Sequence, residues 1–269
     1  MKKKITVVVV LLVMISIFIS ACKKEERKTD SKNVNRVVVG CDNYSPFSYA
    51  DSNGDMTGID VELAREAFQR MGYDPKFEFI NWENKTSLLA EGKIDCIWSS
   101  FTMTGREDEY NWAGPYMKSK QIVAVNEDSD IQTLQDLKDK VIAVQNTTKP
   151  EDIIRSHDGT LPELRKVISV QKRDLIFILL SKGYVDALAA HDTSVDQFMA
   201  DTGLKFRILD EPLQSVELGV AFDKNDTRNL HTQLTETLKD MQKDGTTERI
   251  LSQYLQDVEK YLEDGNAED

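Results

Sequence analysis

A chain of 269 residues with 40% hydrophobic content is long enough for two ordinary domains, each with its own core, and is not that of a disordered protein. Its 46 acids against 34 lysines and arginines give a formal charge of −12, a surface that disfavours nucleic acid and anionic headgroups. Three cysteines without a CxxC pair and three scattered histidines argue against a structural zinc site, and no cofactor is expected.

Residues 1–21 form a secretory signal. Lys2, Lys3 and Lys4 make a positive start, and Ile5 to Ile19 make an apolar run too short and wrongly flanked for a settled membrane span. Ile19-Ser20-Ala21-Cys22 resembles the lipobox of bacterial lipoproteins, in which the chain is cut before the cysteine and the thiol is acylated; an ordinary signal with a chance cysteine is the alternative. Residues 22–36 are polar and charged, as a tether should be. The expected location is the outer side of a cell membrane, with acyl chains on Cys22 as the anchor. Loss of residues 1–21, which hold three lysines and no acid, takes the net charge from −12 to −15. The remaining Cys41 and Cys96 sit in apolar runs and are expected as buried free thiols.

Val37 to Asp42 is a buried strand running into the turn-forming Asn43-Tyr-Ser-Pro-Phe47, and Asp51 to Asp55 makes a polar hairpin-like turn. Gly58 to Gly72 places Ile59, Leu63, Phe68 and Met71 near one helical face and stops at glycine. Phe77 to Ile80 is a strand, Leu88 to Gly92 closes a helix, and Ile94 to Ser99 is a third strand. Such alternation predicts a parallel sheet covered by helices. A second unit follows the same plan. It runs through a strand at Gln121–Val125, a short helix at Ile131–Leu137, a strand at Lys140–Gln145 and a helix opened by Asn146-Thr-Thr148 and Pro150. Further strands are expected at Val167–Val170, Val185–Ala190, Phe206–Leu209 and Val216–Phe222, with a helix at Leu175–Leu180. The tail from Leu230 to Tyr261 is helical and broken near Gly245.

The chemistry concentrates in Asp95-Cys-Ile-Trp-Ser-Ser-Phe-Thr-Met-Thr-Gly-Arg106. Ser99, Ser100 and Thr102 follow a strand end, where an α/β sheet opens a crevice. Arg106 offers a planar fork suited to a carboxylate. On these residues alone, a turn with a solvated arginine is the simpler reading.

The context overturns that reading. Val39-Gly-Cys-Asp-Asn-Tyr-Ser-Pro-Phe47, Gly58-Ile-Asp-Val-Glu-Leu63, Gly92-Lys-Ile-Asp-Cys-Ile-Trp-Ser-Ser100, Leu134 to Val144 and Lys239 to Leu255 together resemble the extracytoplasmic amino-acid-binding proteins of ABC importers, solute-binding protein family 3. The resemblance implies an α/β periplasmic-binding-protein fold with two lobes, each a mainly parallel sheet covered by helices, joined by two crossover strands that act as a hinge. Residues 37–121 with 216–269 would make lobe one, and 122–215 lobe two. The crossovers would be Gln121–Val125 and Glu217–Ala221. The implied function is capture of a small solute, an amino acid or similar small carboxylate, and its delivery to an ABC permease by a monomeric receptor that is not an enzyme.

By the same resemblance Arg106 would bind the ligand's carboxylate with Ser99, Ser100 or Thr102. Thr147 and Thr148 would add donors at a helix N-terminus, Tyr44 an aromatic wall and Asp42 the floor. Trp82 matches a tryptophan common in the family, or is a half-buried packing residue; Phe47 reads as core and Lys85 as solvated. Asn146 departs from a usual glycine, and Thr104-Gly-Arg106 is one residue shorter than the usual Thr-Pro-Glu-Arg. The family's ammonium-binding acid falls on His191, with Asp192 one residue later. Asp192 serves after a shift, or neutral His191 accepts one hydrogen bond, or the ligand carries no ammonium, or the change is drift without functional meaning. Two other functions fit the scaffold: an enzyme such as a dehydratase of a cyclic carboxylate, and a sensory module that keeps the lobes without transport.

Overall fold

The computed structural model describes residues 35–262; the expected signal 1–21, Cys22 and the tether up to residue 34 lie outside them. Strand β1 (Asn35–Cys41) leads into a hairpin of β2 (Tyr49–Ala50) and β3 (Met56–Thr57) around the polar turn at Asp51–Asp55, then helix α1 (Ile59–Arg70), strand β4 (Tyr73–Phe79), helix α2 (Lys85–Ala90) and strand β5 (Cys96–Ile97). β1 pairs in parallel with β4 on one side and β5 on the other. A strand central to a parallel sheet is covered on both faces; Val37, Val39 and Cys41 are buried against one core cluster, and Val38 on the opposite face packs against another. Cys41 and Cys96 are both buried free thiols. Gly58 starts α1 at φ 117°, and a Cβ there would run into the Phe47 carbonyl, so only glycine fits the entry.

Strand β6 (Asn111–Asn126) starts well before the expected Gln121. Gly114-Pro115 reads as a break in sequence. The partner strand, β11 (Gln214–Phe222), slips register between Leu218 and Val220, the kind of irregularity that tolerates a proline. Gly219 makes it possible, because a Cβ there would come within 2.9 Å of the Trp112 ring. Between these long strands lie β7 (Val141–Gln145), α3 (Lys149–Ser156), β8 (Lys166–Val170), α4 (Asp174–Ser181), β9 (Ala187–His191), α5 (Asp192–Thr202) and β10 (Phe206–Ile208). The expected helix at Ile131–Leu137 shrinks to one 3-10 turn, Leu134–Leu137, fixed by a capping box between Thr133 and Asp136. Helix α5 is additional to the elements expected from sequence. Helices α6 (Leu230–Lys243) and α7 (Thr246–Leu251) follow β11, parted at Gly245.

Apart from the β2–β3 hairpin, the described strands form one sheet in the order β4, β1, β5, β11, β6, β9, β7, β8, with β10 added to β6. Its two halves have separate cores. Val39, Phe47, Leu63, Phe68 and Trp98 pack with the α6 and α7 residues Leu234, Met241 and Leu251 on the β1 side, and Trp82, Ile97, Phe101 and Tyr110 form a smaller cluster there. On the β7 side, Ile176, Leu180, Leu188 and Val195 fill one face and Val125, Leu137, Val144 and Ile154 the other. Among the described residues, only β6 and β11 run from one half to the other, antiparallel from Gln214 opposite Gln121 to Phe222 opposite Asn111. Every parallel strand therefore ends toward the space between the halves, delivering Asp42, Ser99, Gln145, Arg173 and His191 or their loops to it.

Candidate functional site

The β1 side of the site is held by a buried network. The Asp42 amide donates to the Ser99 hydroxyl (3.0 Å), which shares a 2.9 Å hydrogen bond with Ser48, and Ser48 in turn donates to the Asp42 carbonyl. Ser100 stands at φ 44°, unusual for a residue with a side chain, and its amide donates to the Asp60 carboxylate. Asp60 is 1% exposed and also accepts from the Tyr116 hydroxyl at 2.8 Å. Burial pushes its carboxyl from 3.8 to about 7 against those two hydrogen bonds. Thr102 is buried, bridges to Leu218 and accepts from the Gln121 amide at 3.2 Å.

Arg106 is 8% exposed, lies 5.2 Å from the centre of the Phe101 ring and pairs with Asp152 of α3 across the gap. The expectation of a solvated Lys85 fails. It is 5% exposed, and its ammonium donates to the Thr147 carbonyl (3.0 Å) and hydroxyl (2.9 Å) of the other half. Burial, then the neighbouring Arg106 charge, lowers it to about 8. Trp82 is fully packed rather than half-buried, edge-on to Phe101 and with its indole N–H unpartnered.

On the β7 side, Thr148 stands directly before α3 and its hydroxyl donates back to the Gln145 carbonyl at 2.7 Å. Thr147 faces Lys85, as above. The Gln145 amide donates to the Asp42 carboxylate at 2.8 Å. Arg173, directly before α4, stacks its guanidinium 3.3 Å from the centre of the Tyr44 ring and reaches Asp42 at 3.5 Å, while its Nε has no partner. Tyr44 and Phe47 flank the ring of His191. His191 closes the site: Nδ1 lies 2.8 Å from the Ser119 hydroxyl and Nε2 lies 3.0 Å from the Gln121 amide nitrogen. Burial, then the Arg173 charge, drives its pKa down to about 3, so the ring is neutral.

Ser99, Ser100, Thr102, Arg106, Trp82, Thr148 and His191 share one enclosed space of about 20 Å³ with Gln121, Lys149 and Arg173. Asp42 and Tyr44 lie behind Arg173, and Thr147 behind Lys85. Asp192 goes elsewhere. It is the first residue of α5 rather than a strand end, and its carboxylate accepts from its neighbour Thr193's amide and faces a separate groove of about 620 Å³ with Lys120, Glu217 and Tyr261. The sequence reading passed over Arg173, Gln121, Lys149 and Asp152. Arg173 and Lys149 follow strands β8 and β7, Gln121 lies within β6 opposite His191, and Asp152 is on the first turn of α3. Among the described residues no group of three or more His, Cys, Asp or Glu could hold a metal, and no helix is long and apolar enough to cross a membrane.

The model of the bacterial extracellular solute-binding proteins, family 3, matches residues 37–257. The chain is 25% identical over 258 residues to the probable amino-acid-binding protein YxeM of Bacillus subtilis, covering 95% of this chain and 96% of that one. It is 27% identical over 229 residues to the histidine-binding periplasmic protein of Escherichia coli, covering 81% and 87%. The structure of an ABC uptake transporter substrate-binding protein from Streptococcus pneumoniae with bound histidine superposes with a TM-score of 0.78 at 22% identity, over 83% of this chain and 94% of that one.

Proposed function

The chain belongs to family 3 of the bacterial extracellular solute-binding proteins, and from that membership we propose that it is the cargo receptor of an ABC importer for an amino acid or similar small carboxylate. Its lobes would be residues 37–121 with 216–269, and 122–215, hinged on β6 and β11. The observation that carries the reading is Arg106: a nearly buried guanidinium in the loop between β5 and β6, already paired with a carboxylate from the opposite half. A cargo carboxylate can take the place of Asp152 in that fork, with Ser99, Ser100 and Thr102 beside it. The enclosed space of about 20 Å³ is near the size of one water. Entry of any amino acid therefore requires the halves to part, and closure around cargo strips its water and strengthens the ion pair.

The cavity wall carries no carboxylate to act as acid or base, which supports binding over the dehydratase alternative. Lipid attachment at Cys22, an extracytoplasmic membrane location, a permease partner and a monomeric state complete the proposal. Calorimetry of the protein lacking residues 1–22 against a panel of amino acids and small carboxylates tests it: at least one should bind, and Arg106→Ala should abolish that binding. Unchanged affinity in the variant would remove the site.

A further inference from the structure

The wall of the cavity bears three cations, Arg106, Lys149 and Arg173, and no carboxylate. A zwitterion brings an ammonium that needs an acceptor of opposite charge, because a buried charge without a partner is strongly unfavourable. The position that would supply it holds His191, a neutral ring already engaged by Ser119 and Gln121, and Asp192 faces the other groove. Two carboxylates stand just behind the wall, and each is already engaged, Asp152 by Arg106 and Asp42 by the Gln145 amide and Arg173. Arg173 is the second feature of a built site. Its side chain is 8% exposed and its Nε is buried with no acceptor, so the fork is fixed on the Tyr44 ring with donor capacity to spare.

We propose that the cargo is a small dicarboxylate without a free ammonium, one carboxylate on Arg106 and the other on Arg173. This rests on the reading of the cleft as the cargo site and adds the class of cargo. Lys149, whose Nζ packs over Gly105 so closely that a Cβ there would come within 2.7 Å, adds positive charge to the cavity wall beside Arg106. A monocarboxylic amino acid leaves the second fork unused and its own ammonium facing cations.

Two pairs of probes that differ only by the ammonium test this in calorimetry: glutarate against L-glutamate, and succinate against L-aspartate, with L-histidine as a further amino acid. The expected result is that at least one dicarboxylate binds at least about tenfold more tightly than its amino-acid counterpart. Arg173→Gln should weaken it by about tenfold or more, and Asp152→Asn, which removes the resident competitor at a half-exposed position, should tighten it. Tighter binding of the amino acid of each pair, no binding of either dicarboxylate, or an unchanged affinity in Arg173→Gln overturns the inference. An amino acid that binds more tightly than every dicarboxylate and through Arg106, shown by its loss in Arg106→Gln, would overturn it while leaving the proposed function in place; binding of any probe that survives Arg106→Gln removes both.

Discussion

The two walls of the cleft are built differently. On the β1 side, the reactive groups hang on a buried hydrogen-bond network: Ser48, Ser99 and the Asp42 backbone close one loop, and Asp60 pins Ser100 from beneath. On the β7 side, Arg173 and Thr148 stand at helix starts and His191 at a strand end; Thr148 is held by the Gln145 carbonyl, Arg173 by the Tyr44 ring and Asp42, and His191 by Ser119 and Gln121. Both walls are buried, the first joined by one continuous hydrogen-bond network and the second by separate contacts to several elements. The first fixes where a carboxylate is gripped, and the second determines what else the cargo must carry.

Asp60 is where that contrast breaks most severely. Replacing it with Ala strands the buried Ser100 amide and Tyr116 hydroxyl and should lower stability by about 3 kcal/mol, read as a loss in thermal midpoint and denaturant midpoint. The same residue gives a pH signature. Its folded carboxyl titrates near 7 against an ordinary 3.8, so between those values the folded state holds the extra proton. Its contribution is fully present below about 3.8 and is lost as pH rises through 7. Denaturant titrations across that window should show this fall, and Asp60→Asn should flatten it.

A smaller effect tests the fork itself. Arg106→Lys keeps the charge and loses the bidentate geometry, so affinity for the cargo should drop by about 2 kcal/mol in calorimetry with the fold intact. His191→Asp sharpens the comparison from the other wall. It supplies the missing acid, and should raise affinity for L-histidine or L-arginine by about 1.4 kcal/mol while weakening dicarboxylates. Thr102→Val, which leaves the Gln121 amide without one acceptor, should cost about 1 kcal/mol of stability by chemical denaturation. An Arg106→Lys variant that binds as well as the wild type would sink the idea that the first wall grips by geometry.

Much of the β1 wall was legible. Ser99, Ser100, Thr102 and Arg106 come in one run after an apolar strand, so local order places them together. Asp60 was hidden because an acid in the first turn of an amphipathic helix usually meets solvent and the helix dipole; its burial depends on Tyr116 from a strand that the Gly114-Pro115 pair disguised. The β7 wall was harder. Arg173 is a single basic residue between β8 and α4, and nothing local separates it from a solvated loop residue; Tyr44, which it stacks on, lies in the other half. Asp192 was misplaced because α5 was missed, although Val195, Phe198 and Met199 pack inward with helical spacing. Lys85 was misjudged for the same reason as Arg173, since its acceptors belong to Thr147.

The ion pairs between the walls are reciprocal: Asp152 answers Arg106, and Asp42 answers Arg173. An arriving anion therefore substitutes for a resident one instead of meeting an idle charge, and the net gain per contact is small. Selectivity then comes from how many such substitutions a visitor can complete at once. A molecule able to make only one leaves the opposite partnership untouched and lacks the second hold needed to keep the halves together.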